Sequence, residues 1–310
     1  MRIGYIFPGQ GAQAVGMLAD LRANFAHIDE RLSQASKIIN EDLVRLITAG
    51  PEERLNETEI TQPVMLAMSV ALFDVWCKAG GAMPTAVAGH SLGEYSALTA
   101  VGVFDFDEAI ALVHERGKLM QAAVPKGEGA MAAVLGLELD ELASICEDVE
   151  GVVTPANINS PGQVVIAGAA TSVEIVVDRV LAEGDKRKRV VPLDVSVPSH
   201  CELMKPAADG VERLLSDVTM HEPSCPIFQN VDAMPTQAVT EIRDRLIRQL
   251  TAPVRWADCV TTMVASGCEM LIECGPGKVL TGLARRIDRH MNCKAIGSVD
   301  DFDSVLEATA

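Results

Sequence analysis

Aromatic residues are scarce in this sequence: Phe, Trp and Tyr together make up 4% of its 310 residues. The core therefore has to be built mainly from Ala, Val, Leu, Ile and Met. Hydrophobic residues of all kinds still make up 48% of the chain, which is ordinary for a globular protein. A chain of this length forms one large domain with an insertion, or two modest domains.

Positively charged residues are also few. Lys and Arg number 26 against 43 Asp and Glu, for a formal net charge of −17. So acidic a chain is a poor general binder of nucleic acid or of an anionic membrane, both of which repel it. An acidic partner could still dock on a local basic patch.

The eight cysteines form no C-x-x-C pair, and no Cys/His cluster has the spacing of metal ligands. Most of them lie inside apolar runs, so we predict reduced, mostly buried thiols, no bound metal and a cytoplasmic location.

Long hydrophobic runs are few. The first residues, "MRIGYIFPGQGAQ", contain no apolar run long enough for a signal peptide. The longest apolar helix, "PVMLAMSVALFDVWCKAGG" at 63–81, carries Asp74 and Lys78. We predict that it is too short to span a bilayer and that it is a buried core helix.

Short apolar runs alternate with helical patterns along most of the chain. Residues 2–7, 85–89 and 270–275 read as buried strands, with helices between them. This alternation predicts an α/β domain around a mostly parallel sheet.

The middle of the chain has another order of elements, β-α-β-β-α-β, which is typical of a ferredoxin-like unit. Its predicted elements lie at 129–137, 138–149, 152–158, 163–168, 171–184 and 189–196, with Thr171 as helix cap and Gly184 as helix stop. We expect a small subdomain at 128–195, inserted into a large subdomain formed by 1–127 and 196–310.

The stretch "GHSLG" places Ser91 between two glycines where a predicted strand meets a predicted helix. A serine hydroxyl is a weak nucleophile that needs a base and donors for the oxyanion. A tight turn with Gly89 and Gly93 would expose Ser91 above the sheet and aim the N–H of Leu92 at that oxyanion. The alternative is a glycine turn with an incidental serine.

Several motifs together resemble the malonyl-CoA:acyl carrier protein transacylases of bacterial fatty acid synthesis. They occur in order along nearly the whole chain: "FPGQGAQ" (7–13), "GHSLGEYSAL" (89–98), "NSPGQVVIAG" (159–168), "VPSHCELMKPA" (197–207), "RQL" (248–250), "PVRW" (253–256) and "GPGKVLTGL" (275–283). The resemblance implies an α/β-hydrolase-like core with the ferredoxin-like insertion, and malonyl transfer through a malonyl-serine by a ping-pong mechanism.

The base has to be one of six histidines, at 27, 90, 114, 200, 221 and 290. His90 adjoins the nucleophile and should point away from it, and His114 falls on the polar face of its helix. His200 follows a strand in a small-residue loop of the kind that carries catalytic groups. The resemblance selects His200, oriented by the main-chain carbonyl of Gln249, which makes a Ser-His dyad.

The second oxyanion donor, by the same resemblance, is the backbone N–H of Gln10. From the residues alone, Pro8 to Gly11 is a glycine-rich turn after the first strand, and a phosphate-binding loop is an alternative. The pattern G-x-x-x-x-G-K-[ST] is absent, which weakens that alternative.

Arg116 lies on the apolar stripe of a helix predicted at 107–124. An inward arginine needs an anionic partner, and the pattern alone leaves an internal ion pair or snorkelling open. The resemblance implies that Arg116 binds the free carboxylate of the malonyl group, and that Asn159 also binds substrate.

Two basic clusters stand out in this acidic chain and could dock the carrier protein or coenzyme A phosphates. They comprise Lys186, Arg187, Lys188 and Arg189 in the first, and Lys278, Arg285, Arg286 and Arg289 in the second. For any single residue, a solvated charge run is the alternative.

The expected enzyme is thus an acyltransferase that acts as a monomer, with malonyl-CoA and the phosphopantetheine of acyl carrier protein as substrates and no bound cofactor. A serine hydrolase is one alternative, against which the inserted unit and Arg116 argue. A non-catalytic acyl-binding module is another, against which Ser91 and His200 argue.

Overall fold

The computed structural model describes residues 1–182, 187–193, 195 and 197–309 of the chain. They form two sheets surrounded by helices. The strands are β1 Ile3–Phe7, β2 Ala86–Gly89, β3 Gly129–Leu135, β4 Val153–Ser160, β5 Gln163–Ala169, β6 Arg189–Pro192, β7 Ile227–Phe228, β8 Pro235–Thr236, β9 Met270–Glu273 and β10 Asn292–Ala295.

The helices fall between the strands as the alternating pattern predicts. They are α1 Ala19–Asn24, α2 Ala26–Ile39, α3 Leu43–Ala49, α4 Glu52–Leu55, α5 Thr58–Lys78, α6 Gly93–Ala100, α7 Phe106–Ala123, α8 Leu139–Glu147, α9 Ala170–Ala182, α10 Lys205–Asp217, α11 Val239–Arg248, α12 Trp256–Ala265, α13 Val279–Ile287 and α14 Val299–Thr309.

The larger sheet has the strand order β10-β9-β1-β2-β7-β8. All its pairings are parallel except the short β7–β8 pair at one edge. Every residue of β1, β2 and β9 is buried, because helices cover both faces of a parallel sheet and its strands are continuous apolar runs. The predicted mostly parallel α/β core is confirmed.

The smaller sheet has the order β4-β5-β3-β6 and is antiparallel throughout. The strand that comes first in the chain, β3, lies inside this sheet, between β5 and β6. Helices α8 and α9 pack against the sheet, as in a ferredoxin-like unit. The limits 128 and 195 of this subdomain remain a prediction.

Besides shifts of one or two residues at the ends of other elements, two features of this unit differ from the prediction. The last strand, expected to reach residue 196, ends at Pro192. The helix expected to begin after Thr171 begins at Ala170, so Thr171 lies within it and does not cap it. Its predicted stop at Gly184 falls outside the described residues.

For helix α5, the predicted length is wrong and the predicted burial is confirmed. With 21 residues it is the one helix in the described part of the chain whose length and composition would let it cross a membrane, so the prediction that it is too short is wrong. Its most apolar window is 89% buried, however, and it packs against α2, α6 and α7. It is the core helix that the sequence indicates.

The two sheets meet beside the carboxyl ends of β1 and β2. Ile158 in β4 donates its N–H to the Val254 carbonyl at 2.8 Å, and Val254 donates to the Ala156 carbonyl at 2.8 Å. This short parallel bridge joins the small sheet to the segment that follows α11, and a cavity of about 260 Å³ lies between the two units.

Candidate active site

Ser91 occupies a strained turn between β2 and α6, with a φ of 52°. The flanking glycines make this turn possible. A Cβ on Gly89 would lie 1.9 Å from the carbonyl carbon of Gly93, and one on Gly93 would lie 2.0 Å from the Phe7 oxygen. The turn therefore fits the nucleophile elbow that the sequence indicates, with Ser91 bordering the cavity.

Asn230, which follows β7, holds both sides of this turn. Its Oδ1 accepts a hydrogen bond from the Ser91 N–H at 2.7 Å, and its Nδ2 donates to the Gly89 carbonyl at 2.7 Å. The side chain is fully buried. We did not single out Asn230 in the sequence, where its only signal is a polar pair, Gln229-Asn230, after a short apolar run.

The Ser91 hydroxyl lies in line with His200 and Gln249. Ser91 Oγ is 2.7 Å from His200 Nε2, and His200 Nδ1 is 2.8 Å from the Gln249 carbonyl oxygen. A carbonyl only accepts, so the Nδ1–H of His200 donates to it and the lone pair of Nε2 faces the hydroxyl. This is the tautomer that a general base requires.

Burial keeps the His200 imidazole neutral. The pKa of His200 is lowered to about 3, mainly by desolvation. The hydrogen bond to Gln249 opposes this shift, and the charges of Arg116 and His90 add to it. Only 2% of the His200 surface is exposed. The resting side chain can therefore accept a proton from Ser91 at neutral pH.

Gln10 and Leu92 both border the cavity near Ser91. Neither backbone N–H donates a hydrogen bond to another group within the described residues. The turn carrying Gln10 lies close to the elbow, since a Cβ on Gly9 would come within 2.3 Å of the His90 carbonyl oxygen. Their position suits donors to an oxyanion.

Arg116 projects from α7 into the same cavity and is 1% exposed. Its Nη1 donates to Gln62 Oε1 at 2.8 Å and its Nη2 to Gln249 Oε1 at 2.9 Å. The guanidinium carbon lies 5.2 Å from the centre of the Tyr95 ring.

Neutral groups thus hold this buried cation. Over residues 1–182, 187–193, 195 and 197–309, Arg116 forms no ion pair, and its Nε has no hydrogen-bond partner. Burial lowers the pKa of Arg116, against the favourable electrostatic interactions with Tyr95 and Glu94. The inward orientation is confirmed, and the internal ion pair left open by the sequence is absent from the described part of the chain.

Glu94, the second residue of α6, is a buried acid directly behind this group. It is 1% exposed and accepts a hydrogen bond at Oε2 from Gln249 Nε2. Burial raises the pKa of Glu94 to about 7, against hydrogen bonds from Gln249, Gln229 and Asn230 and the charge of Arg116. Sequence reasoning passed over Glu94, although a carboxylate in the otherwise weakly polar "GEYSALTA" is a signal.

His90 turns its ring toward Asn159 and Trp256. Its Nε2 is 2.8 Å from Asn159 Oδ1, and its ring centre is 5.5 Å from that of Trp256. His90 is also one of the residues that border the cavity. Asn159 is 8% exposed behind His90, while Asn157 borders the cavity; substrate binding by Asn159 remains a prediction.

The basic clusters lie on the surface. Lys186 is outside the described residues, Lys188 pairs with Glu141 at 2.8 Å, and Lys278 pairs with Asp301 at 2.7 Å. The other five arginines are exposed: Arg187, Arg189, Arg285, Arg286 and Arg289. Arg286 donates to Gln163 of the small sheet, so the second cluster flanks the contact between the two units.

All eight cysteines are free thiols, and all but Cys77 are buried. Among the residues that the structure describes, no group of three or more His, Cys, Asp or Glu side chains could hold a metal ion.

Comparison with known proteins gives one consistent family. Residues 4–299 match the acyl transferase domain family. The chain is 49% identical to a malonyl CoA-acyl carrier protein transacylase from Escherichia coli over 308 residues, 99% of each chain.

Two solved structures share the fold. One, an acyl carrier protein S-malonyltransferase from Vibrio cholerae, is 50% identical with a TM-score of 0.94, covering 98% of this chain and all of the other. The second, a malonyl-transacylase solved with its type II PKS acyl-carrier protein, is 46% identical with a TM-score of 0.96, covering 99% and 100%. The chain therefore belongs to the acyl transferase domain family and, within it, to the malonyl CoA-acyl carrier protein transacylases.

Proposed function

We propose that this chain transfers the malonyl group of malonyl-CoA to the phosphopantetheine thiol of an acyl carrier protein, through a malonyl ester on Ser91. The observation that carries this is one cavity bordered by Ser91, His200 and the buried cation of Arg116, with the Gln249 carbonyl orienting His200. The printed names of the relatives supply the donor and the carrier.

In the first half-reaction, Ser91 Oγ attacks the thioester carbonyl carbon while His200 Nε2 takes the hydroxyl proton. The N–H groups of Gln10 and Leu92 stabilise the oxyanion. When the tetrahedral intermediate collapses, its carbon–sulfur bond breaks, and His200 returns the proton to the departing sulfur of coenzyme A. Malonyl-Ser91 remains.

In the second half-reaction, the phosphopantetheine thiol attacks malonyl-Ser91 with His200 again as base. The carbon–oxygen ester bond breaks, and His200 gives the proton back to Ser91 Oγ. Coenzyme A departs before the carrier thiol attacks malonyl-Ser91, so the mechanism is ping-pong. The same dyad serves both half-reactions, and the chain needs no bound cofactor.

The test follows labelled malonyl groups. Incubation with malonyl-CoA alone should give an intact-mass adduct on the protein, and adding holo acyl carrier protein should move the label to the carrier faster than free malonate appears. Release as malonate alone would make the chain a serine hydrolase. No adduct at all would leave an acyl-binding module.

Arg116 should decide between malonyl and acetyl groups. Its guanidinium fork suits a carboxylate, and Arg116→Ala should lower kcat/KM for malonyl-CoA by about 10- to 100-fold, the equivalent of about 1.5–3 kcal/mol for a hydrogen bond to a charged group. Acetyl-CoA lacks the carboxylate and should lose little. Arg116→Lys, which keeps the charge without the fork, is the control; an equal loss for both substrates would assign Arg116 a purely structural role.

We propose that the second basic cluster receives the acidic carrier protein. Reversing Arg285, Arg286 and Arg289 to Glu should raise KM for the carrier more than KM for malonyl-CoA. The difference should shrink with salt, since exposed charges are screened beyond about 10 Å at about 0.1 M.

The matched control reverses three exposed lysines outside both clusters, Lys78, Lys118 and Lys205. It changes the net charge equally and should leave KM for the carrier near its original value. If the two triple variants behave alike, net charge rather than this cluster governs docking, and the first cluster, with Arg187 and Arg189, becomes the candidate.

We further propose a monomer in the cytoplasm. Free, mostly buried thiols suit a reducing compartment, and the exposed large apolar side chains are few. Sedimentation of the purified chain and fractionation of cells test the two statements.

A further inference from the structure

We propose that Glu94 is a positioning residue that fixes the side-chain amide of Gln249 between Arg116 and Ser91, and thereby sets the selectivity for malonyl. The inference rests on the proposed function. The mechanism above uses Gln249 only through its backbone carbonyl, and it does not use Glu94 at all. Yet both side chains are buried in the middle of the site.

Gln249 is the junction of four groups. Its carbonyl accepts from His200, and its Oε1 accepts from Arg116 Nη2 at 2.9 Å. Its Nε2 donates to the Ser91 carbonyl at 3.0 Å and to Glu94 Oε2. One residue therefore touches the nucleophile, the base and the cation, and Glu94 is the acid that holds its far end.

The orientation of this amide matters because its two ends differ. With Nε2 facing two acceptors and Oε1 facing a guanidinium, every contact is favourable. A flipped amide would place its N–H groups against Arg116 and its oxygen against the Ser91 carbonyl and Glu94. The Ser91 carbonyl only accepts, and so does Glu94 in its ionised form. Together they select the orientation in which Gln249 can hold the cation.

The position of the Arg116 guanidinium depends on its hydrogen bond to Gln249. Among the described residues, two amide oxygens anchor its guanidinium, one from Gln62 and one from Gln249. Glu94 forms no contact ion pair with Arg116 there. Its charge acts on Arg116 across a gap, and the hydrogen-bonded link between the two side chains runs through Gln249. Without Glu94, the Gln249 side chain loses its fixed end, and Arg116 loses one of its two anchors.

The base is held differently, which makes the effect selective. His200 contacts the Gln249 backbone carbonyl, whose position depends on the chain after α11 and not on the side-chain amide. Loss of Glu94 should therefore damage recognition of the malonyl carboxylate more than transfer of an acetyl group, which uses the dyad without Arg116. A purely structural role would lower both equally.

The experiment compares kcat/KM for malonyl-CoA and acetyl-CoA in the full chain with Glu94→Met, Gln249→Met and the double variant. Each single change should lower the malonyl-to-acetyl ratio by about tenfold or more, as expected for losing a hydrogen bond in a charged network. In the Gln249→Met background, Glu94→Met should lower the ratio much less than it does alone, because the hydrogen-bonded link is already absent and only the weaker charge interaction with Arg116 remains.

Two further variants serve as controls. Glu94→Gln keeps an oxygen that can accept from Gln249 Nε2, so it should retain more of the ratio than Glu94→Met. Glu273→Met removes another fully buried carboxyl, one that caps α13 through Leu280 and Thr281, and it should leave the ratio unchanged.

Two results would overturn the proposal. One is that the effects of Glu94→Met and Gln249→Met on the malonyl-to-acetyl ratio add in the double variant; the other is that Glu94→Met changes this ratio by less than about twofold. Should Glu94→Met fail to fold, Gln249→Met and Glu94→Gln still decide it, since an unchanged ratio in Gln249→Met removes the link itself. Failure of the proposed function looks different: the unmodified chain would then form no malonyl adduct.

Discussion

Ser91→Ala should abolish the malonyl adduct while leaving the fold intact. The substitution removes one oxygen from a turn whose backbone is held by Asn230 and by the close approach of Gly89 and Gly93. Loss of a nucleophile that works with its base as a unit costs up to about 10⁶-fold in kcat. Intact-mass spectrometry after incubation with malonyl-CoA measures the effect directly.

The matched control is Ser96→Ala, five residues further along α6. Its hydroxyl is fully buried and has no hydrogen-bond partner among the described residues, so its loss should leave acylation at the level of the unmodified chain. Stoichiometric malonylation of Ser91→Ala would place the acyl group on another side chain and refute the elbow as the site of covalent chemistry.

The elements of the fold could be predicted because their signals are local. The runs that became β1, β2 and β9 are continuous and apolar, as strands buried on both faces must be. The β-α-β-β-α-β order was also visible from turns and helix signals alone. The ends of the elements were predicted less accurately. The last strand of the small sheet stops at Pro192, because proline cannot donate a hydrogen bond to the neighbouring strand and tertiary packing decides the limit.

The residues of the site also differ in whether the sequence around them identifies their role. Ser91 could be found from five consecutive residues, and its context of strand and helix supplied the chemistry. The roles of His200, Gln249 and Arg116 came from resemblance, since nothing local identifies a base that lies 109 positions from its nucleophile. The structure places these three groups around Ser91, where their geometry supports the proposed roles.

The groups that sequence reasoning missed share one property. Gln62, Glu94 and Asn230 are fully buried or nearly so, and each acts by a hydrogen bond to a residue far away in the chain. Their partners could not be predicted, because pairing depends on how the helices pack over the sheet. Their burial could have been suspected, since each is a polar residue in or beside an apolar segment.

His200→Ala should slow both half-reactions by about 10²- to 10⁴-fold, the usual contribution of a general base. Single-turnover rates of Ser91 malonylation and of transfer to the carrier measure the two steps separately. His114→Ala is the control, because His114 is half-buried on α7 and bonds the Glu59 carbonyl at 2.8 Å, away from the residues that border the cavity. A loss confined to the carrier step would assign His200 to docking.

An ordinary histidine titrates near neutrality, but the buried His200 does not. Burial lowers its pKa from 6.5 to about 3, so the base is already neutral throughout the physiological range. The pH profile of kcat/KM should accordingly lack a His200 limb near 6.5. The lowered pKa also makes the stability of the folded chain depend on pH.

Between about pH 6.5 and about pH 3 the unfolded chain binds a proton at His200 that the folded chain does not. The stabilisation from this residue is therefore complete above about pH 6.5 and is lost progressively as the pH falls toward 3. His200→Ala removes the titrating group, so its free energy of unfolding should fall less on acidification than that of the unmodified chain. Urea unfolding at about pH 8 and about pH 5 tests this, and parallel losses in the two proteins would mean that His200 is solvated and protonated like an exposed histidine.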